Sequence, residues 1–285
     1  MNAPSLPVVR EPAELRAQVR AWKARGERVG LVPTMGALHE GHLSLVRLAK
    51  AQADRVVASV FVNPTQFAAG EDFDAYPRNE ARDSELLASA GCDLLYAPGP
   101  AQMYPDGFST TVSVAGVSEP LEGVFRPTHF AGMATVVAKL LIQAEPDVAV
   151  FGEKDYQQLQ VIRRLVRDLD LPVTIVGAPT IRNQEGLARS SRNAYLSEDQ
   201  RAVAGKLNVI LAAAAEALRG GAHVASAEAT ALKALAQAGF GMVDYLETRD
   251  PDDLHRLGPG PLQGPARVLV AAWLGKTRLI DNIAV

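Results

Sequence analysis

Apolar and polar positions along the chain follow two rhythms in alternation. Residues 11–25 place Leu15, Val19 and Trp22 at helical spacing, which predicts an amphipathic helix. Residues 29–32 form an unbroken apolar run, the mark of a buried strand, and Pro33 is expected to stop it. Gly36 permits a tight turn, and from Gly41 onward Leu43, Leu45, Val46, Leu48 and Ala49 return to helical spacing. Residues 55–62, rich in β-branched side chains, read as a second buried strand; 79–90 read as a helix and 92–96 as a third strand. Further on, 128–143 read as a helix, 147–151 as a strand, 156–169 as a helix and 173–176 as a strand. Strands alternating with helices predict the α/β class, a Rossmann-like parallel sheet with right-handed crossovers.

Two stretches break this rhythm. Residues 98–128 carry Pro98, Pro100, Pro105, Pro120 and Pro127, and are expected to be irregular, with a short strand near 110–114 and a mobile loop over a site. Beyond about residue 180 the composition changes. Residues 197–219 read as an alanine-rich helix with Ser197 as N-cap, and 226–237 as a helix ended by Gly239. Residues 242–248, 267–274 and 278–283 read as strands, the last two joined as a hairpin near Gly275 and Lys276. The prediction is a Rossmann-like domain over 1–180 and a smaller C-terminal α+β domain over 181–285, with the boundary within 178–188.

Composition narrows the function classes. A chain of 285 residues buries a substantial core, and its net charge of −3 argues against general nucleic-acid binding. A single cysteine, Cys92, excludes an internal disulfide framework and reads as a small core residue rather than a nucleophile. There is no apolar run long enough to cross a bilayer, and the first residues lack a secretory pattern, so a cytoplasmic protein with no membrane partner is expected.

The chemistry gathers at the ends of the predicted strands, where α/β sheets bind ligands. Pro33-Thr-Met-Gly-Ala-Leu-His-Glu-Gly-His42 sets His39 and His42 at a strand–turn–helix junction, three residues apart and able to share a helix face. Free N–H groups at a helix start suit an anion, which points to phosphate. The spacing does not fit the helical zinc-protease pattern, where the histidines stand four apart. After the fourth strand, Gly152-Glu-Lys-Asp155 offers Lys154 as a point charge for phosphate, although the run is also good turn chemistry. Ser190, Ser191 and Arg192 suit a polyphosphate as well as they suit a solvated linker. Gln66 lies in the polar loop 63–67 after the second strand, where it offers donors and an acceptor although the run also reads as a strand-ending turn, and Gln158 lies four residues beyond Lys154. Arg126 and His129 flank the proline-rich stretch unplaced, a loop-surface role being the simpler reading; Asp72, Asp74 and Asp83 read as solvated charges.

Together these runs resemble, in order and over nearly the whole chain, the pantothenate synthetases (pantoate–β-alanine ligases) of the nucleotidylyltransferase-like superfamily. The resemblance covers residues 33–42, 60–67, 74–78, 126–133, 151–159 and 186–196, and its joint match is far more specific than any single piece. It implies condensation of (R)-pantoate with β-alanine to pantothenate, with ATP cleaved to AMP and pyrophosphate through a pantoyl adenylate, and a homodimer. It implies an ATP site formed by Met35, Gly36, Ala37, Leu38, His39, Glu40, Gly41 and His42, by Gly152, Glu153, Lys154 and Asp155, and by Ile181, Arg189, Ser190, Ser191 and Arg192. His42 matches the family's proton donor, Gln66 a position shared by pantoate and β-alanine, and Gln158 a second pantoate contact. Arg189 departs from the family, which often has an apolar residue there; a backbone contact survives that change, while a side-chain role does not carry over.

A carboxylate is a poor acyl donor, so adenylation activates it, and the transition state loads charge onto phosphate oxygens. Lys154, Arg192, His39, His42 and a Mg²⁺ on the phosphates would supply the cations and donors that stabilise it. Two rivals stand beside this reading: a transferase that keeps the nucleotide on its product, and a silent nucleotide-binding module.

Overall fold

The computed structural model describes residues 6–67, 73 and 76–285. The expected first sheet is present as six parallel strands: β1 (Val8–Val9), β2 (Val29–Thr34), β3 (Arg55–Val60), β4 (Leu94–Tyr96), β5 (Val148–Gly152) and β6 (Thr174–Ala178). They lie in the order β1-β4-β3-β2-β5-β6, so the chain builds outward from β2 on one side and then from β5 on the other. The carboxyl ends of β2 and β5 therefore flank the switch point, where such sheets leave a crevice.

Alternation along each strand separates two cores. Leu31, Val57, Tyr96 and Phe151 face one side with α1 (Pro12–Lys23), α6 (His129–Ala144) and α7 (Tyr156–Asp168). Val32, Val56, Ala58 and Val150 face the other with α2 (Glu40–Lys50) and α3 (Glu80–Ser89). Both faces of the sheet are covered, which is why its strands read as continuous apolar runs rather than as an alternation.

Three local expectations are corrected. Pro33 does not end β2, which runs on to Thr34. Pairing with β5 is confined to Gly30 and Leu31, so at Pro33 only β3 is alongside and the absent proline N–H costs no ladder bond. Residues 110–114 form no strand. The proline-rich stretch instead holds two single-turn helices, α4 (Pro100–Met103) and α5 (Glu122–Phe125), and it is not a loose cover: Met103, Val114, Val117 and Leu121 are buried in the first core.

The C-terminal part holds α8 (Glu198–Arg219), α9 (Val224–Ala238) and an antiparallel sheet of β7 (Val243–Arg249), β8 (Arg267–Leu274) and β9 (Thr277–Ala284) in that order. Ser197 caps α8 by accepting from the Gln200 amide, and Gly239 ends α9 in the left-handed region. Val268, Val270, Ala272 and Leu274 of β8 pack under these two helices, whereas Leu269 and Ala271 turn the opposite way and join the first core. That second face sets the small sheet against the switch point. Among the described residues no helix is long and apolar enough to cross a membrane.

Candidate active site

The turn after β2 is built to a narrow specification. Gly36 has a positive φ of 82°, and a Cβ there would lie 2.9 Å from a carboxylate oxygen of Asp83 and 3.2 Å from Val60, so only glycine fits. Asp83, read from sequence as a solvated charge, is in fact buried, and its carboxylate accepts from the Ala37 amide at 3.0 Å and the Leu38 amide at 2.9 Å. Asp72 and Asp74 lie outside the described residues. The pinned turn delivers His39 as the N-cap of α2 and His42 in its first turn, with ring centroids 4.1 Å apart.

Backbone donors fix both histidine tautomers. The Gly41 amide donates to Nδ1 of His39 at 3.2 Å, and the His39 amide donates to Nδ1 of His42 at 3.4 Å. Each Nδ1 is thus an acceptor, and each ring carries its proton on Nε2. Burial, then the charges of Lys154 and Arg189, pull His39 down to about 4. Burial, then His39 and Lys154, pull His42 down to about 3. Both rings are neutral N–H donors at neutral pH, so of the expected cations and donors the histidines fall among the donors.

Two further segments converge on them. Lys154 sits in a 3₁₀ turn, Glu153–Asp155, directly after β5, with its ammonium 3.7 Å from Asp155. Asn282 of β9 donates to the carbonyls of Glu153 and Lys154, both at 2.9 Å, and so ties this turn to the small sheet. Residues 181–189 double back on themselves, the Arg189 amide bonding the Ile181 carbonyl at 2.8 Å, and lead into the 3₁₀ turn Ser191–Tyr195 capped by Ser190. Ser191 Oγ donates to the Ala37 carbonyl at 3.3 Å, which docks this segment on the histidine turn.

A cleft of about 840 Å³ opens between these parts. It is lined by Met35, His39, Gly41 and His42 of the histidine turn, by Gly152, Lys154, Asp155 and Gln158 after β5, and by Ile181, Arg189, Ser190, Ser191 and Arg192. Gly36, Ala37, Leu38, Glu40 and Glu153 stand behind this lining. The Ala37 and Leu38 amides are taken by Asp83, Glu40 pairs with Arg47, and Glu153 lies 3.5 Å from Arg267. Gln66 lines the same cleft with Arg126 and His129, which are cleft walls and not loop surface: an Arg126 nitrogen donates to the Gln66 carbonyl at 3.2 Å, and His129 Nδ1 lies 3.0 Å from the same oxygen.

The pattern of relatives agrees with this architecture. Residues 7–284 match the family profile of pantoate–β-alanine ligase. The chain belongs to the pantoate–β-alanine ligase family. It is 66% identical over 279 residues to the pantothenate synthetase of Caulobacter vibrioides, with 98% of each chain covered. Its fold matches the crystal structure of pantothenate synthetase from Thermus thermophilus with a TM-score of 0.91 at 49% identity, covering 98% of this chain and 99% of that one. A pantoate–β-alanine ligase from Francisella tularensis, solved with β,γ ATP and β-alanine, matches with a TM-score of 0.81 at 34% identity, covering 98% and 97%. The chain is a ligase that joins pantoate to β-alanine to give pantothenate.

Sequence reasoning missed a set of residues on the cleft of this ligase because their partners are remote. Glu122 of α5 is buried and accepts from the Tyr245 hydroxyl at 2.8 Å and from Arg278 at 2.7 Å. Arg278 also donates to Asp244 at 2.6 Å, and the Trp273 indole N–H donates to the same carboxylate at 3.0 Å. Burial would raise the Glu122 carboxyl, but Arg278, the Tyr245 hydroxyl and Arg126 together hold it below its ordinary value. Asp281 takes Arg182 through two bonds of 2.6 and 2.8 Å. None of these pairs has a local signal: Glu122 and Arg182 reach partners about a hundred residues or more away, and Asp244 meets Trp273 and Arg278 across the small sheet, 29 and 34 residues on. Gln157 is of the same kind: its amide nitrogen bonds the Val117 and Pro120 carbonyls, holding the proline-rich stretch against α7.

Proposed function

We propose that this cleft performs the ligation in two ATP-dependent steps through a pantoyl adenylate. In the first, a carboxylate oxygen of pantoate attacks the α-phosphorus of ATP, the bond to the β-phosphate oxygen breaks, and pyrophosphate leaves. In the second, the amine of β-alanine attacks the acyl carbon, AMP leaves with the carboxylate oxygen, and the amine sheds a proton to solvent. No bond to the protein is required.

One observation carries this reading. Three segments far apart in the chain bring two neutral imidazole N–H donors, the Lys154 ammonium, and the Ser190–Ser191–Arg192 run onto one cleft that Gln66 and Gln158 also line. Donors and cations fixed in advance suit the charge that spreads over phosphate oxygens as the α-phosphorus is attacked. In this proposal the triphosphate lies between the start of α2, Lys154 and Arg192, with Ile181 toward the adenine. Met35 through His42, Gly152 through Asp155 and Arg189 line or back that site. Gln66 and Gln158 hold the hydroxy acid, Gln66 being shared with β-alanine. Neutral His42 offers its Nε2 proton as a hydrogen bond to an oxygen gaining charge.

Mg²⁺ belongs to the same proposal. Among the carboxylates lining the cleft, Asp244, Asp281 and Glu122 are committed to arginines, while Asp155 is half-exposed. That donor set fits an ion held mainly by phosphate oxygens and water, with Asp155 in reach, and such an ion would share the phosphate charge. Residues 181–285 would act as a lid domain over residues 1–180, excluding water that would hydrolyse the adenylate. The homodimer is carried by family alone, and light scattering tests it.

The test is pyrophosphate release from purified protein with ATP and Mg²⁺ before β-alanine is added. Release that requires pantoate supports the two-step ligase. Release that requires β-alanine as well as pantoate would contradict a separate adenylation step.

A further inference from the structure

Gln66 carries both a donor and an acceptor, and the side that faces a ligand is decided by residues behind it. Asn63 is fully buried, and both ends of its amide are spoken for. Its Oδ1 lies 3.3 Å from the Thr65 amide, a group that can only donate, and its Nδ2 lies 3.2 Å from the Gly132 carbonyl, which can only accept. These two backbone groups leave one orientation for the Asn63 side chain. Its Nδ2 then donates to Oε1 of Gln66 at 2.9 Å, so the acceptor end of the Gln66 amide is turned to Asn63 and its NH₂ end is the one left for the cleft that Gln66 lines. The arrangement is tight: a Cβ on Gly132 would lie 2.2 Å from the Thr65 carbonyl oxygen, so α6 can approach only through glycine.

The shortest bond in this cluster comes from a residue with no place in the site so far. The Tyr104 hydroxyl donates to Oδ1 of Asn63 at 2.7 Å and lies 3.3 Å from the Thr65 hydroxyl. Its ring is held between Phe61 and Phe108, with centroids at 6.1 and 5.2 Å. We propose that Tyr104 is a positioning residue for the acid-binding end of the cleft: through Asn63 it holds Gln66 with its donor outward. A donor-only face selects oxygens, hence a carboxylate or hydroxyl group, and turns away an ammonium. This inference rests on the assignment of Gln66 to the substrates that carry those groups.

Tyr104→Phe keeps the ring packing and removes only the hydroxyl. The experiment compares steady-state kinetics and thermal midpoints of the wild type, Tyr104→Phe, Gln66→Ala and the double variant, each titrated separately with pantoate, β-alanine and ATP. Tyr104→Phe is expected to lower kcat/KM for pantoate about 3- to 10-fold, the weight of one hydrogen bond, while KM for ATP stays within about twofold. In the Gln66→Ala background the same change is expected to have no further effect on pantoate. An equal loss in both backgrounds, a loss falling equally on ATP, or a lowered midpoint with unchanged kinetics would each overturn the proposal. Failure of the underlying assignment looks different: Gln66→Ala alone, with Tyr104 intact, would leave the pantoate parameters unchanged.

Discussion

Lys154 and the two histidines play different electrostatic parts. Lys154 places an ammonium at the end of β5, whereas burial leaves both imidazoles neutral. Lys154→Ala should therefore lose roughly 10²–10³ in kcat, as for other removed transition-state donors, with an unchanged circular dichroism spectrum; near-normal turnover in a folded variant would remove Lys154 from the mechanism. Neutral burial also makes a prediction about pH. An unfolded chain protonates His42 near 6.5, while the native site holds it to about 3. Between those values the unfolded state takes up a proton that the native state refuses, so this contribution is intact above 6.5 and is lost as pH falls. Urea unfolding at about pH 7 and about pH 4.5 should show the wild type losing roughly 2–3 kcal/mol more than His42→Gln. Parallel losses would contradict a buried neutral ring. The sequence reveals His39 and His42 because a local turn and helix start frame them. It conceals Asp83, whose partners are backbone amides of Ala37 and Leu38 from another element.

At the scale of elements, the cleft is walled by contacts between segments far apart in the chain. α5 is a single turn, and what holds it is the Glu122 carboxylate between Tyr245 and Arg278 and the Gln157 amide beneath its start. Glu122→Ala would leave Arg278 largely buried with only Asp244 as counterion. We expect a loss of about 3 kcal/mol in unfolding free energy, the low end for a broken buried pair because Asp244 remains. A change under about 0.5 kcal/mol, the range of ordinary surface substitutions, would show that the clasp contributes nothing. The rhythmic elements were legible from spacing: β2 to β6 and α1, α2, α3, α6 and α7 fall within a few residues of their expected ends. The proline-rich stretch was not. Val114, Val117 and Leu121 are core residues at helical spacing, yet the chain between them runs as turns tied by Gln157 rather than as a helix, and Met103 ends the single-turn α4, so spacing there misleads. Arg126 and His129 were misplaced for the same reason, since only that packing carries them to Gln66.

For the whole molecule, the order β1-β4-β3-β2-β5-β6 puts the histidine turn and the Lys154 turn side by side at the switch point. The small sheet then leans over that point through Leu269, Ala271 and Asn282. The alternation of strands and helices announces the first sheet, while the docking of the second depends on which face of β8 is turned inward, something an all-apolar strand does not disclose. If the small sheet and α5 cover the reacting groups, ATP with pantoate should slow proteolysis of the 181–196 segment relative to either ligand alone; identical cleavage rates would count against cover. The central claim is that pantoate is activated on the α-phosphorus of ATP. It is tested most directly by supplying pantoate with ¹⁸O in its carboxylate and recording mass spectra of the products after β-alanine is added. The account predicts one ¹⁸O in the phosphate of AMP. Label found in inorganic phosphate, with AMP unlabelled, would place the attack on the γ-phosphorus and contradict it.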